Sequence, residues 1–96
     1  MSVDMDRRYA VRDRVYAREF GGEIVLLDLE GGSYFGLDAI GAEVWTRLSA
    51  GASPDEIVVE LAPLYDVLPP TLSGDVERLV ESLIASRLIY PREESR

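Results

Sequence analysis

Ser33-Tyr34-Phe35-Gly36-Leu37-Asp38-Ala39-Ile40-Gly41-Ala42-Glu43-Val44-Trp45 is the stretch on which the fold turns. Residues Ser33 to Leu37 contain no charge and no proline and read as a short strand. From Asp38 the apolar period changes from that of a strand to that of a helix. Ile40, Gly41, Val44, Trp45 and Leu48 fall on one side of that helix, and Asp38 stands where a capping carboxylate is favoured. Gly51 ends it as a C-terminal glycine. Trp45 is on the apolar face, which predicts a core residue, and Gly41 predicts a close approach to a neighbouring element.

Upstream, Val11 to Phe20 shows a weak alternation, with Val11, Val15 and Ala17 on one parity, and reads as a first strand. Gly21-Gly22 supplies a tight turn. Glu23 to Leu29, rich in β-branched and aliphatic residues, predicts a central strand covered on both faces. Glu30-Gly31-Gly32 is a second hairpin turn leading into the third strand. Downstream, Ser53-Pro54-Asp55-Glu56 is a strong helix start: serine caps, proline takes the first helical position and glutamate reaches back. Ile57, Leu61, Leu64 and Tyr65 follow at helical spacing. Pro69-Pro70 interrupts, so the segment from Asp66 to Thr71 reads as a break. Ser73 is the expected cap of a third helix running to about Ser86, and Leu88-Ile89-Tyr90 packs back or forms a short strand. Three antiparallel strands followed by three helices predict an α+β domain with its helices on one face of the sheet. Residues 1–10 read as a flexible N-terminal arm, 11–90 as the domain and 91–96 as a charged tail.

Ninety-six residues, with 47% apolar and 29% charged, make one ordinary globular domain rather than a disordered chain. No apolar run approaches the roughly 20 residues of a membrane span and the N-terminus lacks a signal-peptide core, so a cytoplasmic location is expected. The chain has no cysteine, histidine or lysine. That removes thiolate nucleophiles, zinc–sulfur sites, the commonest general base and Schiff-base chemistry. No nucleophile elbow, dinucleotide fingerprint, Walker loop or calcium loop is present. A non-catalytic binding module, with no metal and no cofactor, is the reading. The net charge of −8 is uneven: residues 1–22 hold five arginines against four acids, and the remainder five against fourteen. Such an acidic body repels nucleic acid and anionic membranes, although solubility alone also accounts for many of these acids.

In a simple meander the first and third strands are edges, and natural edges are usually blunted by charge, proline or bulges. Ser33, Tyr34, Phe35, Gly36 and Leu37 carry no such protection. The unpaired backbone of that strand invites an extended peptide as a fourth strand. Two other outcomes are open: a further element of the chain covers the edge, or two copies pair through it. On the third helix Val76, Leu79, Val80, Leu83 and Ile84 span an apolar arc of about 140°, wide enough to pack inward and also line a groove, or to be buried entirely.

Asp28, Gly32-Ser33-Tyr34-Phe35-Gly36-Leu37-Asp38, Gly41, Val44-Trp45, Leu48, Gly51, Glu56-Ile57, Leu61, Tyr65-Asp66, Asp75-Val76, Leu79, Leu83 and Leu88-Ile89 together resemble the PqqD-like family. These are the small precursor-peptide recognition elements of ribosomally made, modified peptides (RiPPs). The Gly32–Leu48 segment is most similar to the stand-alone B1 members of lasso-peptide pathways, because Asp38 stands where the PqqD of quinone-cofactor synthesis usually has asparagine. The resemblance covers residues 11–90. It implies a winged helix-turn-helix fold, and capture of a leader segment on the third strand, Ser33 to Leu37, against the third helix at Asp75, Val76, Leu79, Val80 and Leu83. It also implies an extended leader carrying a tyrosine, then a proline, then a leucine, with an acidic rim at Glu30, Asp75 or Glu81 facing basic leader residues. The implied partners are the precursor leader peptide, a leader-removing cysteine protease and an ATP-dependent macrocyclase, with no nucleic acid and no membrane.

Three other functions fit less well. A winged-helix DNA-binding regulator would need cations on its recognition helix, yet residues 53–65 have none and residues 73–86 only Arg78; the arginines at 7, 8, 12, 14 and 18 are its sole support. A carrier protein would need an Asp-Ser-Leu attachment site, whereas Ser73 lies in Leu72-Ser73-Gly74-Asp75. A PqqD-type chaperone of quinone-cofactor synthesis shares the fold and departs at Asp38.

Overall fold

The computed structural model describes residues 3–93. In chain order the elements are β1 (Tyr9–Val11), β2 (Val15–Phe20), β3 (Glu23–Asp28), β4 (Ser33–Leu37), α1 (Ala39–Ser49), α2 (Pro54–Leu64), α3 (Pro69–Ala85) and β5 (Ile89–Pro91). β2, β3 and β4 form an antiparallel three-stranded sheet in that order, and β1 pairs with β5 in a separate two-stranded sheet. The three-strand, three-helix order is the one the sequence predicts; the small second sheet is additional.

Local chemistry accounts for the turns. β2 and β3 are joined through Gly21 (φ 58°) and Gly22 (φ 90°), two successive left-handed residues that match the twist of a tight hairpin. The β3–β4 loop is tied by Asp28, whose carboxylate accepts from the backbone N–H groups of Glu30 at 3.1 Å and Gly31 at 3.2 Å. Asp38 caps α1 by accepting from the Gly41 N–H at 2.8 Å. Ser53 and Glu56 close a reciprocal capping box at the start of α2. Glu56 also receives two hydrogen bonds from Arg8. The guanidinium, and then the Ser53 backbone N–H, pull the Glu56 carboxyl down to about 2 from an ordinary 4.5.

The apolar rows then find one another. Ile24, Leu26 and Leu37 are buried on one sheet face, against Val44, Trp45 and Leu48 of α1. Ile57 and Leu61 of α2, with Leu72, Val76, Val80 and Leu83 of α3, complete the core, and Tyr9, Leu88 and Ile89 close its far end.

Four sequence expectations need correction. The first strand is two: the chain breaks at Arg12–Arg14, so Tyr9–Val11 pairs with β5 while Val15–Phe20 pairs with β3. β3 is central but fully covered on one face only, with Ile24 and Leu26 buried and Val25 and Leu27 half-buried, because α1 is the helix that packs on it. α3 starts at Pro69, its N-cap is Leu68 without a side-chain cap bond, and Ser73 is inside the helix. The prolines that stop α2 from continuing are well suited to a first turn, where no N–H is needed and φ is already helical. Finally, residues 3–10 are not a detached arm. Val3 and Met5 pack on the core, the Asp55 N–H donates to Met5 O, and Tyr9 is buried with its hydroxyl donating to Asp4 O at 3.0 Å. At the other end Pro91 belongs to β5 and Arg92 N–H donates to Arg8 O. Met1, Ser2 and residues 94–96 lie outside the described residues.

Two outcomes follow from the caps. Ser53→Ala, which removes the acceptor at the start of α2, lowers the unfolding free energy by about 1 kcal/mol in urea titration. Because the Glu56 carboxyl sits lower in the folded state, its contribution is complete above pH 4.5 and is lost as pH falls toward 2. The urea midpoint of Glu56→Gln therefore depends less steeply on pH across that window than that of the wild type.

Candidate functional site

β4 is an edge strand. Its inner side pairs with β3 in unbroken register, from Ile24↔Leu37 to Asp28↔Ser33, and no described strand pairs with its outer side. Beside the Leu37 end of that edge a cavity of about 450 Å³ opens between β4, the start of α1 and the N-terminal half of α3. Gly36 and Leu37 contribute from β4, Ile40, Gly41 and Val44 from α1, and Leu72, Asp75, Val76 and Leu79 from α3, with Asp38 at the junction. The groove is thus mostly apolar, with two carboxylates at its wall. One of them, Asp38, is occupied by capping; the other, Asp75, is ion-paired to Arg78 one turn along the helix.

Chain geometry puts the groove there. α1 begins two residues after β4 ends, so Asp38 holds the helix start against the strand terminus. Gly41 keeps this junction tight: a Cβ there would stand 3.2 Å from the Asp38 carboxylate and 3.4 Å from Leu37. The close approach predicted for Gly41 is therefore to the preceding strand end rather than to another helix. α3, which packs on α2, brings its N-terminal half to the same corner.

The residues singled out by sequence divide into groups. Gly36, Leu37, Asp75, Val76 and Leu79 are brought together in the groove. Ser33, Tyr34 and Phe35 lie farther along the same edge, toward the β3–β4 loop. Phe35 is half-buried on the core face, and Tyr34 is 77% exposed on the opposite face. Val80 and Leu83 are 0% exposed and belong to the core, not to the groove wall. Their part of the apolar arc is enclosed in the core, where α3 packs chiefly on α2 and on β5. Of the proposed acidic rim only Asp75 is at the groove. Glu30 pairs with Arg14 at 2.6 Å beside a second cavity, and Glu81 lines a third, on the far side of α3. Ile40, Val44 and Leu72 line the groove and were read only as core residues or not singled out. The signal that could have found them is their position in the first two helical turns after the strand–helix and turn–helix junctions. Among the described residues no group of acids is arranged to hold a metal ion.

With this geometry in hand, comparison with known proteins is decisive. The family described as coenzyme PQQ synthesis protein D (PqqD) matches residues 23–89. The chain belongs to the PqqD family. Its members of this type are RiPP recognition elements, which are non-catalytic binding proteins. Two solved structures are similar to this PqqD-family chain. TbiB1 in complex with the TbiA(beta) leader peptide is 34% identical, with 88% of this chain and 99% of that one covered and a TM-score of 0.80. A lasso peptide synthetase B1 complexed with the leader peptide is 27% identical, with the same coverage and TM-score. Comparison with the curated proteins gives no match.

The division of α3 between core and groove is directly measurable. Leu83→Ala lowers the unfolding free energy by about 2–5 kcal/mol, as expected for a fully enclosed leucine. Leu79→Ala, at a half-buried groove position, costs well under half of that in the same urea titration.

Proposed function

We propose that this PqqD-family chain captures the leader segment of a ribosomally made precursor peptide, in a lasso-peptide pathway. The leader adds as a strand to the free edge of β4, Ser33 to Leu37. Backbone hydrogen bonds along β4 supply affinity whatever the peptide's side chains, and the groove beside α3 supplies selection. The observation that carries this reading is the coincidence of the unpaired β4 edge with the apolar groove of Leu37, Ile40, Val44, Val76 and Leu79 at its end. Apolar leader residues enter the groove, and Asp75, in its wall and paired with Arg78, is the acid nearest to a basic leader residue.

The chain acts in the cytoplasm as an adaptor. By holding the leader it raises the effective concentration of the precursor at a separate leader-removing cysteine protease and an ATP-dependent macrocyclase. The absence of His, Cys and Lys agrees with a role in which the chemistry is done by those partners. The helices offer little to DNA: across α2 and α3 the only cation is Arg78, already paired with Asp75.

The test is a fluorescence-anisotropy titration with a labelled TbiA(beta) leader, followed by the leader encoded nearest this chain's own gene. Saturable binding is expected, abolished by Leu79→Glu and weakened by Asp75→Lys when the peptide is basic, while both variants keep the wild-type circular dichroism spectrum. Failure of both leaders to bind, or binding untouched by Leu79→Glu, overturns this reading.

A further inference from the structure

Gly36 is in the middle of β4, where a glycine weakens a strand: it gives up the most backbone freedom on folding and packs no side chain. The usual structural reasons for accepting that loss are missing. The β3–β4 register runs without interruption through Val25↔Gly36, so there is no bulge. Gly36 is not among the glycines with positive φ, which are Gly21, Gly22, Gly32 and Gly51. A Cβ built on it meets no atom within 4 Å among the described residues, whereas one on Gly41 is met at 3.2 Å. Nothing within the described chain requires position 36 to be bare. The remaining reason for a glycine in a strand is the close approach of a ligand.

The register says where that ligand would lie. Gly36 shares a face with Val25 and Arg18, and Tyr34 shares it with Leu27 and Tyr16. This is the face turned away from the helices. Val25 is half-buried there, and Tyr34 stands exposed two residues from the glycine. Position 36 is thus a bare, open site on that face, with Val25 across the ladder and Tyr34 two residues along the strand, while the Gly36 backbone also borders the groove on the other side.

We propose that Gly36 is a specificity notch that accepts a large side chain, above all an aromatic one, from the residue directly across from it in a peptide paired to β4. This inference rests on the strand-addition reading above. Cross-strand partners on one face are close enough to touch, and an aromatic ring laid over a facing glycine covers the backbone and the neighbours that the glycine leaves bare. Diagonal contact with Tyr34 adds to it. Alternate residues of the bound strand are then read on opposite sides. One set enters the apolar groove, and the other is sorted by the notch. Any side chain at position 36 would strengthen the free strand and fill the space the peptide needs.

The test selects a displayed library of random linear peptides on the wild type, Gly36→Ala and Gly36→Thr in parallel. The wild type is expected to enrich Tyr, Phe or Trp at one fixed position, and Gly36→Thr to enrich a small residue there. A wild-type winner should bind Gly36→Thr about tenfold or more weakly, and recover when its aromatic residue is replaced by alanine. Both variants should unfold at the same or higher urea concentration than the wild type. Winners that bind the variants unchanged, or a variant that unfolds earlier or fails to fold, overturn the notch and leave the adaptor reading standing. If no peptide binds the wild type at the β4 edge, the strand-addition reading falls and the notch falls with it.

Discussion

The row of Ile24, Leu26 and Leu37, buried against Val44, Trp45 and Leu48, is the contact on which the rest of this structure depends. It gives the sheet an inside and an outside. α1 packs on that inner face, and α2 and α3 join the same core behind it. α1 is held at the end of β4 by the Asp38 cap, and the α2–α3 pair fills in behind it. No described strand then pairs with the outer side of β4. The open edge and the groove beside it are consequences of how the core is built.

That arrangement explains how so plain a set of residues makes a binding site. The groove offers backbone, aliphatic side chains and two carboxylates already engaged in local bonds. Nothing in it is poised for proton transfer or nucleophilic attack. What it offers is shape, an unpaired ladder of amides and carbonyls, and water-excluding walls. Such a site suits an extended polypeptide, whose own backbone brings the complementary donors and acceptors. The two faces of β4 differ in kind. One side leads to the apolar groove, and the other is an open face with exposed tyrosines and a bare position at Gly36.

Much of this was legible in the chain because the signals are local. The capping box at Ser53 and Glu56, the Gly21-Gly22 turn and the change of period at Asp38 each act within a few residues, and each appears in the structure at its expected place. The misreadings have physical causes too. Pro69-Pro70 is ambiguous in sequence, since proline ends one helix and begins another by the same loss of an N–H. The β1–β5 sheet joins residues some eighty positions apart, and three-residue strands are too short to show a period. Tyr9 read as part of an arm because its packing partners come from the far end of the chain.

The sequence by itself determined the order of the three sheet strands and three helices, the unprotected character of Ser33–Leu37 and the absence of His, Cys and Lys. These follow from spacing, capping and composition, all properties of neighbours in the chain. Only the tertiary structure decided which part of the α3 arc is core and which is groove. Val76, Leu79, Val80 and Leu83 are alike in hydrophobicity and share one helical face. What separates Leu79 from Leu83 is whether the rest of the fold covers it, and that depends on how distant elements pack around α3. The same holds for Gly36, whose bare position acquires meaning only once the register shows that nothing in the described chain fills the space beside it.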